Sequence, residues 1–482
     1  MAEDTGAVAS PVERRLAQPI RPILWCQATD RIHDVARLIS AGSHSCALVR
    51  TEAGLGIVTD HDFRRRVATG ELGIDAPVAQ LAAAPVLTVD EDATQAAALI
   101  RMVEHAVHHL VVVDREGRPV GVLRAVDLAH AEVRDPLLIR SAIDTATTVD
   151  EVVAAAQLLP AAIVALWDNR VAAIDIGALH AAVVDAIVRR VLQVRADPVL
   201  SEVSHSWVAL GSLARRESLP RSDIDTALVW ADSTTPDRAA AIRAVAGEVL
   251  DDLRRCGLEP CPNGTNANAV EFSRSRSEWV GAISSWRRET IQERALLRYA
   301  MVADSRPLTE TALGRCLTDP IRGHARDTRF LRALLDEALG FRPPTGIIRD
   351  FVVEHGGAHG GQLDLKRGGL APVVGLARWV AIATGDAGGN TPERLHRGAV
   401  RDLLTLDEAQ TLTGAFEDVY TLALRHETDA LRSGATPTTY IGPKTLDTLT
   451  RRHLRESFRA VHAVQTAIDQ NWMARLERMR TT

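Results

Sequence analysis

The stretch "LGSLARRESLPRSDIDTALVW", Leu210–Trp230, places two carboxylates where a polar turn gives way to an apolar run. Asp223 and Asp225 stand one residue apart, directly before "TALVW". Side chains alternate along a strand, so both carboxylates are expected on one face and Ile224 on the other. Two such charges repel each other unless a cation lies between them, and oxygen ligands suit hard divalent ions. The stretch therefore predicts a site for Mg²⁺, or Mn²⁺, at the start of a strand.

The turn upstream offers groups that bind phosphate. Gly211 permits close approach of the backbone, and the Ser212 hydroxyl and neighbouring amides can donate to phosphate oxygens. Arg215 and Arg216 would add positive charge for a triphosphate. The alternative is a surface turn in which Ser222, or the first acid, only caps a neighbouring segment. The ten residues between Gly-Ser and Asp-Ile-Asp, flanked by two strand-like runs, favour the functional interpretation.

The composition of the chain indicates a multidomain globular protein. Its 482 residues suggest about two to four domains, and 46% of them are hydrophobic and 24% charged. A formal net charge of -6 gives no basic field for nucleic acid. No apolar run approaches the roughly 20 residues of a membrane span, and the start, "MAEDTGAVASPVERR", is unlike a signal peptide. With five scattered cysteines and no CxxC pair, we expect reduced thiols in a cytoplasm.

A doubled motif lies near the amino terminus. "GLGIVTDHDF", Gly54–Phe63, and "RPVGVLRAVDL", Arg118–Leu128, share a glycine, aliphatic residues and an aspartate. Each follows an aliphatic strand and a helix-period segment, so the repeat predicts one β-α-β-β-α unit used twice. Long amphipathic patterns separated by Gly and Pro dominate the last third, which predicts a helical bundle.

These patterns predict a multidomain α+β protein. We expect a flexible tail at residues 1–18, the doubled module at 19–134, a helical connector at 135–197, a mixed α/β domain at 198–310 and a helical domain at 311–482.

The Gly-Ser and Asp-Ile-Asp spacing resembles the signature of the polymerase-beta-like nucleotidyltransferase superfamily. The stretch is more closely similar to nucleotidyltransferases found beside CBS domains in bacterial signalling proteins, relatives of the PII-protein uridylyltransferases. "CPNGTNANAVEFSRSRSEWVGAISSW", Cys261–Trp286, resembles that family's Cys-Pro-x-Gly loop and the helix after it. "LDLKRGGLAPVVGLARWVA" and "YIGPKTLDTLTRRHLRESFRAV" resemble its helical partner domain. The resemblance covers about residues 140–475.

The resemblance implies further site residues. A third carboxylate, Asp304 in "ALLRYAMVADSRPL", would join the metal site; the alternative is an acid that caps a turn. Lys366, one of only two lysines, would either reach nucleotide phosphate or pair with Asp364. One departure stands out, because the family loop has glycine on each side of its arginine, where this chain has Ala214 and Arg216.

The doubled motif resembles a tandem CBS pair, a module that commonly binds adenine nucleotides between its halves. Thr59 would then present a hydroxyl to the ligand, Asp62 would bind both ribose hydroxyls, and Arg64 or Arg65 would face phosphate; alternatively, Thr59 or Asp62 only caps a helix. The second copy has Arg124 in place of the hydroxyl, so Asp127 is expected to be a cap and one nucleotide site is expected rather than two. Such pairs usually pack against a second pair, which implies a homodimer.

The resemblance thus implies a metal-dependent transfer of a nucleoside monophosphate from an NTP, with release of pyrophosphate. The acceptor would be a protein side chain, such as a tyrosine hydroxyl in a signalling protein, and adenine nucleotide would regulate the reaction. The alternative is a catalytically silent nucleotide-sensing protein, which the changed loop around Arg215 favours. An RNA-tailing enzyme is disfavoured by the acidic net charge.

Overall fold

The computed structural model describes residues 20–42, 44–128, 135–289, 293–344, 351, 353 and 359–481. The chain divides into two compact units, Met1–Leu137 and Leu138–Thr482. The expected tail at residues 1–18 and the end of the expected doubled module, residues 129–134, lie outside the described residues.

The first unit is one strand–helix–strand–strand motif used twice. The first copy consists of β1 Trp25–Cys26, α1 Ile32–Ala41, β2 Cys46–Thr51, β3 Gly54–Thr59 and α2 Asp60–Asp62, followed by a π-helical turn, Phe63–Val67. The second copy consists of β4 Thr88–Asp90, α3 Gln95–His105, β5 His109–Val113 and β6 Pro119–Arg124. In each copy the first two strands are parallel and the last two antiparallel. The predicted repeat is confirmed, except that the described part of its second copy ends in a 3₁₀ turn, Ala125–Asp127, rather than a helix.

A shared apolar cluster joins the two copies. Cys46 and Leu48 of the first copy pack with Val111, Val113 and Val122 of the second. The amino-terminal segment also crosses to the second copy, because the Arg21 N–H donates to the Val122 carbonyl at 2.8 Å. The two motifs therefore fold around a common core.

The expected connector forms a set of packed helices. They are α4 Asp135–Thr145, α5 Val149–Ala156, α6 Leu159–Asp168 and α7 Ala173–Arg195, with the short α8 Pro198–Ser201 after them. Helix α7 is buried on most of its circumference, as a helix that is apolar nearly all round must be. Helices α5 and α6 pack against it.

A four-stranded sheet follows in the order β10-β7-β8-β9. Its strands are β7 His205–Leu210, β8 Thr226–Trp230, β9 Ser273–Ser275 and β10 Ser305–Pro307, and its helices are α9 Gly211–Ala214, α10 Pro236–Arg255, α11 Arg276–Arg288 and α12 Glu293–Ala303. Strands β7 and β8 are antiparallel, whereas β8 and β9 are parallel. Every residue of β8 is buried, which fits its continuous apolar sequence.

The last third is helical, as predicted. Its helices are α13 Thr311–Gly314, α14 Ile321–His324, α15 Thr328–Gly340, α16 Ala371–Ala383, α17 Thr391–Val400, α18 Leu406–Ser433 and α19 Thr448–Thr481. A two-stranded antiparallel ribbon of β11 Leu363–Asp364 and β12 Tyr440–Ile441 adds to them. Helix α18 packs against α6, α7, α17 and α19. The connector and the helical domain therefore share one core.

One segment of the described residues is long and apolar enough to cross a membrane. Val149–Asp168 has a mean hydropathy of 1.7 over its most apolar window, and 39% of that window is buried. The expectation that no apolar run approaches the length of a membrane span is therefore wrong for this segment. Its acids at both ends and Pro160 interrupt the apolar run, although the mean hydropathy of the whole segment is high. In the structure it is divided between α5 and α6, which pack against α7.

A close helix contact gives a prediction about stability. A Cβ atom on Gly177 of α7 would overlap the Tyr420 hydroxyl of α18. Alanine in place of glycine inside a helix normally stabilises it by about 1 kcal/mol. Here we expect Gly177→Ala to lower the free energy of unfolding by about 1–3 kcal/mol through overpacking. Urea denaturation of both proteins measures the change.

Gly281 of α11 is the matched control, because a Cβ atom there has no neighbour within 4 Å. We expect Gly281→Ala to be neutral or stabilising. Equal stabilisation by both substitutions would contradict the contact between α7 and α18.

Candidate active site

Asp223 and Asp225 lie together at the entrance to β8. Ile224 between them is buried, and its N–H donates to the Glu259 carbonyl at 2.8 Å. The Leu210 N–H donates to the Asp225 carbonyl at 2.9 Å, which extends the pairing of β7 with β8 to this point. The extended backbone therefore places both carboxylates on the face opposite Ile224.

A thiol completes this cluster. Potential ligand atoms of Asp223, Asp225 and Cys261 all lie within 4.8 Å of one another. The donor set of two carboxylates and one sulfur fits a divalent cation. No role was expected for Cys261 from the sequence; its position at the start of the Cys-Pro-x-Gly loop, which resembles the family's loop, is the signal that could have found it.

The loop after Cys261 is tied to β8 by backbone and side-chain hydrogen bonds. The Cys261 N–H donates to Asn266 Oδ1 at 3.0 Å, and Asn266 Nδ2 donates to the Cys261 carbonyl at 2.8 Å. The Thr226 N–H donates to the Thr265 carbonyl at 3.0 Å, and the Ala267 N–H donates to Thr226 Oγ1 at the same distance. Cys261 is thereby held beside the first residue of the strand.

The cluster carries negative charge at a poorly solvated position. Burial raises the pKa of Asp225 to about 6; the Cys261 thiol, which donates a hydrogen bond to it, offsets part of the rise, and the charge of Asp223 adds to it. Burial likewise raises the pKa of the Cys261 thiol to about 11, with the charge of Asp225 adding to the rise. A bound cation would relieve the cost of ionising Asp225.

Gly211 makes room for Asp225. Its φ is +59°, and a Cβ atom would lie 2.8 Å from Asp225 Oδ2. Its N–H donates to the Asp304 carbonyl at 2.9 Å, so this amide is not open to phosphate, while the expected close approach of the Gly211 backbone to a phosphate stays a prediction. The Ser212 hydroxyl makes no hydrogen bond within the described part of the chain, which leaves it available to a ligand.

Asp304 does not join the carboxylate pair. It is 1% exposed and accepts hydrogen bonds from Arg215 at 2.6 Å, from Arg378 at 2.8 and 2.9 Å, and from Arg394. Burial alone would raise the pKa of Asp304, but the three guanidinium groups hold it well below its usual range. The expected metal role of Asp304 is therefore corrected: it is the centre of a buried ion-pair cluster.

The two loop arginines also differ from expectation. Arg215 is buried between Asp304 and Glu217, whose Oε2 it reaches at 2.7 Å, so its charge is not directed at a triphosphate. Arg216 has a φ of +62°, the conformation that glycine favours. Arg216 stands where the family has glycine, and the backbone nevertheless keeps the left-handed conformation. Holding a residue other than glycine in this conformation costs roughly 1 kcal/mol of stability. Burial lowers the pKa of Arg216 to about 10.

Three helices hold the loop between Gly-Ser and the acids. His180 of α7 shares a hydrogen bond with Ser218 Oγ at 3.0 Å, and the Tyr420 hydroxyl of α18 donates to the Ser218 carbonyl at 3.3 Å. The Arg221 N–H donates to the buried Glu427 of α18 at 3.1 Å. At the start of α17, the Thr391 N–H donates to Glu217. The helical parts of the chain therefore position the acids, a role that sequence analysis missed.

Lys366 reaches the acids from the helical domain. Its Nζ lies 3.3 Å from Asp223 Oδ1, whereas Asp364 instead accepts the N–H groups of Lys366 and Arg367. The Lys366 side chain therefore does not pair with Asp364, which was one of the two expected alternatives. The Lys366 side chain is 54% exposed, and such a pair contributes about 0–1 kcal/mol, so the ammonium can turn to a phosphate with little cost.

In the first copy of the repeat, Thr59 and Asp62 form a capping box. The Thr59 N–H and hydroxyl both donate to Asp62 Oδ2 at 2.8 Å. Arg64 follows on the π-helical turn and is exposed. The structure thus shows the capping alternative in use at this position.

In the second copy, Asp127 is not a simple cap. It accepts two hydrogen bonds from Arg124, both at 2.7 Å, and two from Arg21, at 2.9 and 3.3 Å. Burial opposes its ionisation, but the two arginines lower the pKa of Asp127 to about 2. Arg21 and Arg124 line a cavity of about 240 Å³, together with Pro22, Gly42, His44, Ser45, Cys46 and Val122. The expected cap is corrected to an ion-pair cluster beside a cavity.

Three family models match the chain. They are described as "CBS domain" at residues 78–134, "Putative nucleotidyltransferase DUF294" at 157–293 and "Putative nucleotidyltransferase substrate binding domain" at 328–472. The last two together cover more than half of the chain. The chain belongs to the CBS-domain-containing putative nucleotidyltransferases.

Individual relatives match smaller parts. An uncharacterized protein of Methanocaldococcus jannaschii, MJ1404, is 30% identical over 95 residues, 20% of this chain and 23% of that protein. The chain thus spans about a quarter of the length of this curated relative.

Two solved structures match about a quarter of the chain. An uncharacterized conserved protein from Pyrococcus horikoshii is 22% identical over 24% of this chain and 90% of its own, with a TM-score of 0.23. The CBS domain protein PAE2072 from Pyrobaculum aerophilum, solved with AMP, is 28% identical over 24% of this chain and 91% of its own, with a TM-score of 0.22. With TM-scores this low, these matches carry no argument about a ligand of this chain.

The position of Asp304 gives a prediction about stability. Asp304→Asn would leave three guanidinium groups, of which those of Arg215 and Arg394 are buried, without their shared counter-charge, so we expect a loss of about 3–5 kcal/mol in the free energy of unfolding. The exposed pair of Asp251 and Arg254 is the control, and Asp251→Asn should change stability by less than about 0.5 kcal/mol. Unchanged stability of Asp304→Asn together with lost Mn²⁺ binding would restore the metal role of Asp304.

The raised pKa of Asp225 gives a prediction about pH. In the fold this acid ionises near pH 6 rather than at its ordinary value of 3.8, so its ionisation lowers stability as pH rises between these values. In the presence of a chelator, we expect the free energy of unfolding of Asp225→Asn to exceed that of wild type by about 3 kcal/mol at pH 7.5, with little difference near pH 4. Urea denaturation at both pH values measures this, and a difference that does not depend on pH would contradict it.

Proposed function

We propose that this protein transfers a nucleoside monophosphate from an NTP to an acceptor hydroxyl, using a divalent cation at Asp223 and Asp225. The convergence of these two carboxylates with Lys366 of the substrate binding domain carries the proposal. The acceptor oxygen forms a bond to the α-phosphorus, the bond to the β-phosphate bridging oxygen breaks, and pyrophosphate and a proton leave. Mg²⁺ or Mn²⁺ would bind the triphosphate and neutralise its developing charge.

The residues of this chain serve mainly to bind and to orient. Asp223 and Asp225 would hold the cation, while Ser212 would donate to a phosphate oxygen. Lys366 would exchange its pairing with Asp223 for a phosphate once the cation has taken its place. Asp304 has no metal role in this proposal, because three arginines hold its carboxylate.

The acceptor is proposed from resemblance. By similarity to PII-protein uridylyltransferases, it would be a hydroxyl of a signalling protein, such as a tyrosine. The formal net charge of -6 gives an RNA acceptor no electrostatic support. A cytoplasmic location is part of this proposal, and five buried free cysteines are compatible with it.

A second candidate function is a catalytically silent nucleotide sensor. The commitment of Arg215 and Asp304 to a buried ion-pair cluster favours it, because neither residue is then available to triphosphate or metal. The pair of Asp223 and Asp225 opposes it, because burial makes the ionisation of Asp225 costly and a bound divalent cation would relieve that cost.

Labelled nucleotides test the transfer. The full chain is incubated with each of four α-labelled NTPs, Mg²⁺ or Mn²⁺, and lysate of its host. We expect label on a protein band with wild type and with Asp251→Asn, and at least about a thousandfold less with Asp225→Asn, since a lost metal ligand raises the barrier by several kcal/mol.

The other outcomes identify the alternatives. Label on RNA would establish the tailing reaction instead. Nucleotide binding without transfer under any condition would overturn the enzyme and leave the sensor.

We also propose that an adenine nucleotide binds the CBS unit at the cavity beside Arg124, and that CBS units pair in a homodimer. The cavity, about 240 Å³, lies just below the roughly 300 Å³ of small ligand pockets. Arg21 and Arg124 share the single carboxylate of Asp127, which leaves one net positive charge for a phosphate at the wall of the cavity. At the capping box, by contrast, the Asp62 carboxylate already accepts both the N–H and the hydroxyl of Thr59.

Calorimetry with AMP tests this placement. We expect Arg124→Ala to weaken binding by at least about tenfold, or 1.4 kcal/mol, whereas Thr59→Ala should change it little. The reverse result would place the nucleotide at the first copy.

A further inference from the structure

We propose that the site at Asp223 and Asp225 also takes a thiophilic divalent cation, such as Zn²⁺, with the sulfur of Cys261 as a third ligand, and that this ion inhibits transfer. The inference rests on the metal site of the proposed function but concerns a different ion. It assigns to Cys261 a role beyond shaping the loop.

The geometry supports a shared ion. Zn²⁺ binds carboxylate oxygen at about 2.0–2.2 Å and thiolate sulfur at about 2.3 Å, so its ligand atoms lie roughly 3–4 Å from one another. The atoms of Asp223, Asp225 and Cys261 are already within 4.8 Å of one another. Small side-chain rotations would therefore bring all three onto one ion.

The position of the sulfur is fixed by its loop. Asn266 bonds both the N–H and the carbonyl of Cys261, and the residue is 6% exposed. Among the described residues, this is the one place where three or more His, Cys, Asp or Glu side chains bring potential ligand atoms within 4.8 Å of one another. The other four cysteines are buried outside it. Cys261 is thus the cysteine that the fold places against the two acids.

Ligand chemistry separates the two kinds of ion. Mg²⁺ takes oxygen ligands and would leave Cys261 as a neutral hydrogen-bond donor to Asp225. A thiophilic ion forms a sulfur–metal bond, and the thiol proton leaves to solvent, with no change of oxidation state. Two carboxylates and a thiolate around a 2+ ion leave one net negative charge, whereas the Mg²⁺ form is neutral.

This difference in charge predicts inhibition. The net negative charge of the thiolate-bound form repels a triphosphate that the neutral form would accept. Zn²⁺ should therefore compete with Mg²⁺ at the same ligands and lower nucleotide binding.

Cobalt is the spectroscopic probe. Metal-free wild-type protein is titrated with Co²⁺, and we expect a sulfur-to-cobalt charge-transfer band in the near ultraviolet that one equivalent of Zn²⁺ removes. Cys261→Ser should lack this band and bind Zn²⁺ at least about tenfold more weakly, whereas the matched control Cys256→Ser should retain both.

Other results would overturn the inference. Binding of Co²⁺ without the band, or an unchanged band in Cys261→Ser, excludes the sulfur as a ligand. Should Cys261→Ser fail to fold, Asp225→Asn keeps the thiol and should weaken Co²⁺ binding at least about tenfold; unchanged affinity there contradicts the shared site.

The result is separable from the transfer reaction. The band without any nucleotidyl transfer would support the thiophilic site and overturn the enzyme. Nucleotidyl transfer with Mg²⁺ but no charge-transfer band would support the enzyme and overturn the thiophilic site.

Discussion

The buried ion-pair cluster around Asp304 is the constraint on which the site depends. Asp304 stands between α12 and β10, and its partners come from the loop after β7 and from helices α16 and α17. A buried charge with one partner removed costs several kcal/mol, so these segments are fixed relative to one another. The Asp304 carbonyl also accepts the Gly211 N–H, which ties the Gly-Ser turn to the same point.

A series of hydrogen bonds connects this cluster to the loop that carries the carboxylate pair. Glu217 joins Arg215 to the start of α17, and Ser218 and Arg221 are bonded to helices α7 and α18. The loop that leads to Asp223 is therefore held along its length by helices far away in sequence. This explains how Asp223 and Asp225 stay close together and poorly solvated, although burial raises the pKa of Asp225. The substrate binding domain acts here as part of the site's framework.

Sequence reasoning predicted the features that depend on local pattern. The repeat in the first unit, the strands around Asp-Ile-Asp and the helical last third follow from hydrophobic period and turn residues. The placement of Asp223 and Asp225 on one face follows from strand alternation.

The features that sequence reasoning missed depend on long-range contacts. Asp304 meets Arg378 and Arg394 across 74 and 90 residues, and no spacing rule connects these positions. A carboxylate at the end of an apolar run has the same local pattern whether it binds a metal or three guanidinium groups. Cys261 and Glu427 reach the site in the same way, through a loop and a helix whose register only the fold determines.

The central claim is that a cation and a triphosphate meet at Asp223 and Asp225 while Asp304 remains in its cluster. A crystal structure with Mn²⁺ and a non-hydrolysable NTP, with the anomalous signal locating the metal, tests this directly. We expect manganese bound by Asp223 and Asp225, Lys366 turned to phosphate, and Arg215, Arg378 and Arg394 still bonded to Asp304. Manganese coordinated by Asp304, with Arg215 turned towards the triphosphate, would contradict it.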